Sequence, residues 1–107
     1  MKHFITKNEV QPGEMPWCKV EWMSNAELVG AEEILLVRAT FEAGQKHRFH
    51  THPQREEVIY VLEGEAEQWV GREKHLLKAG EMAHIPKNTP HATRNAGGGK
   101  LVFLAIL

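Results

Sequence analysis

The chain has 107 residues, a mass of 12.2 kDa, 42% hydrophobic and 25% charged residues, and a formal net charge of -1. That size fits one domain with a single core, so residues 1–107 are read as one unit with residues 1–13 as an N-terminal arm. Near-zero charge supplies no basic field for nucleic acid or anionic membrane, and no apolar run is long enough for a signal peptide or a bilayer span. A cytoplasmic location is expected, and the single cysteine, Cys18, has no internal disulfide partner.

The arm carries a short apolar patch at Phe4 and Ile5, read as an edge strand, and then Pro12-Gly13, read as a turn. From Trp17 to Met23 the residues alternate, with Cys18, Val20 and Trp22 on one face, which predicts a strand closed by the loop Ser24-Asn25-Ala26-Glu27. Ile34 to Phe41 is rich in β-formers and ends near a turn at Gly44, after which a histidine-bearing strand begins. Residues 57–62 and 65–70 flank a bend at Glu63-Gly64. Further strands are expected over 74–77, 82–85, 91–95 and 101–107, separated by Gly- and Pro-containing turns. No segment shows a 3.6-residue apolar stripe, so the pattern predicts an all-β sandwich or small barrel. The last strand, LVFLAIL, is apolar on both faces, so either the arm covers its outer side or a second copy does, giving a homodimer.

The chemistry is concentrated between Gly44 and Asn95. His50 and His52 are two apart, which in an extended strand puts both imidazoles on one face about 7 Å apart. Glu57 opens the following strand, and His91 follows Pro86 and Pro90, which stiffen its approach. Any one of these histidines alone is better read as a hydrogen-bonded surface or core residue. His47 has the opposite parity to His50 and is expected on the outer face. Arg48 shares parity with the pair and reads either as a cavity residue that holds an anion or as an exposed salt-bridge partner. Ile59 and Val61 share parity with Glu57, and Thr93 and Asn95 with His91, so these four are expected in the pocket wall. His3 and His75 read as solvated, and His84 as a packed side chain.

The spacing Gly44, His50, His52, Glu57, Gly64, followed by Gly80, Pro86, His91, Asn95, resembles the two motifs of the cupin superfamily. The resemblance implies a jelly-roll barrel that binds one divalent transition metal ion (Fe, Mn, Ni, Zn or Cu) through His50, His52, Glu57 and His91. Glu57 rather than Glu56 keeps the motif's six-residue distance to Gly64. Asn88 stands where the second motif usually has glycine, and asparagine tolerates the positive φ of that turn.

Three neutral imidazoles and a carboxylate around a divalent ion leave a net charge of +1, which favours a small anionic or enolisable ligand. On an octahedral ion two positions stay open, whereas on tetrahedral zinc the shell closes and the site becomes structural. No second inward acid or base is evident, which counts against an isomerase and leaves a metal-dependent oxidoreductase of dioxygenase type. The alternatives are a non-catalytic metal- or small-molecule-binding cupin and a metal-dependent isomerase.

Overall fold

A computed structural model describes residues 2–107. Ten strands run in order: β1 (Gln11–Met15), β2 (Cys18–Ser24), β3 (Leu36–Phe41), β4 (Lys46–His50), β5 (Glu57–Glu63), β6 (Glu65–Val70), β7 (Glu73–Lys78), β8 (Met82–Ile85), β9 (His91–Asn95) and β10 (Leu101–Ile106). A short helix, α1 (Ala26–Val29), is capped by the Asn25 side chain, which accepts a hydrogen bond from the Leu28 amide, and is stopped by Gly30 in the left-handed conformation. Among the described residues no helix is long and apolar enough to cross a membrane.

The strands form two antiparallel sheets. One has the order β1-β2-β3-β10-β5-β8 and the other β4-β9-β6-β7. Gly64, at φ 84, turns the chain from β5 in the first sheet to β6 in the second. A Cβ there would overlap the Lys100 carbonyl oxygen, so only glycine lets the two segments touch. Asn88, at φ 55, takes the left-handed turn expected of it.

Between the sheets lies a core of alternating inward residues: Val20 on β2, Val37, Ala39 and Phe41 on β3, Ile59 and Val61 on β5, and Leu101, Phe103 and Ala105 on β10. Phe41 and Phe103 meet edge to face at 5.2 Å, a geometry worth about 1 kcal/mol beyond its burial. β10 is apolar on both sides and sits between β3 and β5 in the middle of its sheet.

The arm differs from the sequence expectation. Phe4 and Ile5 are in no strand, and Phe4 is almost fully exposed. The edge strand is β1 instead, and it contains Pro12 and Gly13. Proline is tolerated there because β1 pairs on one side only, with β2, and the missing amide falls at a sheet edge.

Candidate metal centre

β5 delivers Glu57 and β9 delivers His91 as the first residue of each strand, while His50 ends β4 and His52 follows it. Each is held where a strand meets a loop at one end of the cavity between the sheets. One ligand atom from each of His50, His52, Glu57 and His91 can be chosen so that all lie within 4.8 Å of one another. Ring centroids are 4.1 Å apart for His50 and His91, 5.0 Å for His50 and His52, and 5.2 Å for His52 and His91.

Two imidazoles are oriented by the same local device. His50 Nδ1 contacts the Arg48 carbonyl at 2.6 Å, and His91 Nδ1 contacts the Thr89 carbonyl at 2.8 Å, each two residues upstream. A carbonyl only accepts, so each Nδ1 carries a proton, and in the neutral ring Nε2 is left as a lone pair. His91 Nε2 and Glu57 Oε1 then stand 3.0 Å apart, both buried and neither with a hydrogen-bond partner. Two acceptors facing each other in a buried site repel unless a cation lies between them. The donor set therefore fits a metal ion.

Protonation is the competing way to satisfy that contact. Burial pulls His91 down, but the Glu57 carboxylate and the Thr89 carbonyl outweigh it and hold the imidazole above its usual range. His50 is pushed below it by burial, against the Arg48 carbonyl. Loops support the remaining ligand, since the Asn88 amide donates to the His52 carbonyl at 3.0 Å. Glu56 takes no part: it pairs with exposed His84 at 2.8 Å.

The ligands open onto a cavity of about 650 Å³ walled largely by apolar side chains from both sheets. Ile59 and Thr93 line it, whereas Val61 is sealed in the core. Asn95 is also away from it, its amide donating to the Phe41 and Gly99 carbonyls. Arg48 does not reach the cavity. It is exposed in an outer groove with Phe49, Trp69 and Arg94.

His47 is the reverse correction, because it lines the cavity and stacks on His50 at 3.8 Å and on Trp17 at 4.5 Å. The cause is a bulge. His47 pairs with Thr93 and His50 with His91, so two residues of β4 oppose one of β9 and the alternation resets. Burial, with His50 beside it, pushes His47 down to about 4. Arg55, from the loop between His52 and Glu57, also lines the cavity. Its position between two ligands was the available signal, but parity rules do not extend to loops.

A family model described as "Cupin domain" matches residues 37–107. The chain belongs to the cupin family. A solved RmlC-like cupin from Shewanella frigidimarina superposes with a TM-score of 0.85 at 20% identity, covering 99% of this chain and 89% of that one. An uncharacterized Methanocaldococcus jannaschii protein, MJ1618, is 36% identical over 69 residues, 64% of this cupin and 55% of the relative. This cupin thus spans about half the length of that relative. Quercetin 2,3-dioxygenase of Bacillus subtilis is 39% identical over 51 residues, 48% of this cupin and 15% of the enzyme.

Proposed function

We propose that this cupin holds one divalent transition metal ion through His50, His52, Glu57 and His91 and acts as a metal-dependent dioxygenase on a small anionic or enolisable substrate. The observation that carries the metal is the buried contact of His91 Nε2 with Glu57 Oε1 at 3.0 Å, in which neither atom has a hydrogen-bond partner. When bound, such an ion would supply Lewis acidity toward a substrate and dioxygen. The chain's own contribution is to orient the imidazoles by the Arg48 and Thr89 carbonyls and to surround the substrate with largely apolar walls. Glu57 is the sole carboxylate among the cavity-lining residues, and His47 is sandwiched between two rings, so no free acid-base pair favours isomerisation. The local likeness to quercetin 2,3-dioxygenase supports the same reading.

The test is oxygen uptake by protein reconstituted separately with Fe²⁺, Mn²⁺, Ni²⁺ and Cu²⁺, offered a panel of 1,3-diketones and small phenolic acids. Uptake with at least one substrate is expected. Silence across the panel at one metal per chain would leave a metal-binding cupin without this chemistry.

We also propose that a second copy covers the outer face of the six-stranded sheet. Leu104 on β10 pairs with Tyr60 on β5, which pairs with Met82 on β8, and Tyr60, Leu62 and Met82 are 38%, 39% and 47% exposed. Light scattering at micromolar concentration should give twice the chain's 12.2 kDa; the monomer mass would reject the dimer.

A further inference from the structure

The cavity has one guanidinium. Arg55 lies on its wall, half-buried, with Nη1 donating to the Glu33 carbonyl at 3.2 Å. That anchor uses one of five donors. Among the described residues the carboxylate pairs of lysine and arginine engage Lys2, Arg38 and Arg94, and Arg55 has none. A cation on a cavity wall, tethered by a neutral carbonyl and without a counter-ion, is equipped to receive an anion from outside.

The same cavity wall is apolar where it is formed by Val20, Trp22, Val37, Ile59, Phe103 and Ala105. A volume of about 650 Å³ is well beyond what a two-carbon acid fills and lies in the range that encloses a molecule of several rings. A small polar acid would leave this apolar surface wet, whereas a neutral hydrocarbon would leave the guanidinium unanswered.

We infer that Arg55 sets specificity by holding the carboxylate of an amphiphilic acid whose ring-sized apolar body fills the chamber between the sheets. The inference rests on the reading of this cavity as the substrate site and narrows its anionic substrates to acids with a large apolar body. Arg55 lines the same cavity as His50, His52, Glu57 and His91, so one bound acid can meet both the guanidinium and the apolar wall. The sequence alone pointed to Arg48 for this role, and the bulge in β4 together with the loop position of Arg55 explains the exchange.

The test is calorimetric titration of metal-free and metal-loaded protein with 1-naphthoate, its neutral counterpart 1-naphthamide, and acetate. In the metal-free protein naphthoate should bind about 10-fold or more tighter than either of the others, since it alone satisfies both charge and apolar wall. Arg55→Gln should lose about 10-fold for naphthoate while naphthamide binding stays within about 2-fold, and Arg55→Lys should recover part of the loss. Equal binding of naphthoate and naphthamide by the wild type would overturn the inference without any variant, as would an Arg55→Gln protein that binds naphthoate normally. Acetate binding as tightly as naphthoate would overturn the apolar half. Metal content, measured alongside by plasma mass spectrometry, separates the two proposals. Naphthoate discrimination without metal loading defeats the metal centre alone, and metal loading without discrimination defeats the Arg55 assignment alone.

Discussion

β4 and β5 both feed the candidate metal centre, yet around it they are built differently. Along β5 the alternation is unbroken from Glu57 to Val61: Glu57, Ile59 and Val61 are buried and face inward while Tyr60 is exposed. The register with β10 shifts only beyond Val61, away from the site. Along β4 the alternation resets between His47 and His50, where the pairing with β9 shifts by one residue. A regular strand can set a carboxylate on a sealed wall. A bulged one can bring His47 and His50 to the same side and stack their rings, leaving the Arg48 carbonyl to orient His50.

The most damaging change is to a ligand itself. His52→Ala or His91→Ala should weaken metal binding by more than about 100-fold, since even outer partners of ligands are worth 10- to 100-fold. Metal content after dialysis reads this, with exposed His75→Ala as a control that loads normally. A wild-type metal content in either ligand variant would remove the assignment.

Next is the regular side of the comparison. Gly64→Ala, at the end of β5, should cost about 3 kcal/mol by urea unfolding, from a positive φ and an overlap with the Lys100 backbone. The fraction that stays folded should still bind metal, because no ligand moves. Deleting Phe49 acts on the bulge instead. It should let β4 pair evenly with β9 while stripping His50 of its orienting carbonyl, so metal affinity falls by about 10-fold with little loss of stability. Unchanged affinity in that deletion would mean the bulge does not orient His50.

The smallest effect is on pH dependence in the metal-free protein. His47, at about 4, and His50, shifted the same way, bind protons more readily unfolded than folded. Their contribution is complete above the ordinary imidazole value near 6.5 and is lost as pH falls from there through about 4. His91 has the opposite sign: its contribution is complete below the unfolded value and is lost as pH rises through its raised folded value. Melting temperatures between pH 4 and 6.5 should therefore rise with pH, and less steeply in His47→Ala.

The fold was largely legible because most strands keep a two-residue period and end at glycine or proline. The inward parity of β5 was readable from Glu57 to Val61, and so was the glycine bend that follows the strand. The arm misled because a proline-glycine pair reads as a turn unless the strand holding it is known to lie at an edge, which is a property of the sheet and not of the segment. Val61 and Asn95 have the parity of wall residues but lie too deep or too far along to touch the cavity. His47 and Arg48 were exchanged by one extra residue in β4, and no residue type there announces it. Arg55 lies in a loop, where periodicity carries no information.

Asn95 has one more consequence. Its side chain bonds the Phe41 and Gly99 carbonyls and accepts from the Gly97 amide, so a single amide group closes the loop before β10. Gly98 and Gly99 have open space where a side chain would begin and take no positive φ. Those two positions should accept a dye-bearing cysteine or a short grafted peptide, making the loop a handle for labelling or surface attachment while the asparagine latch stays shut.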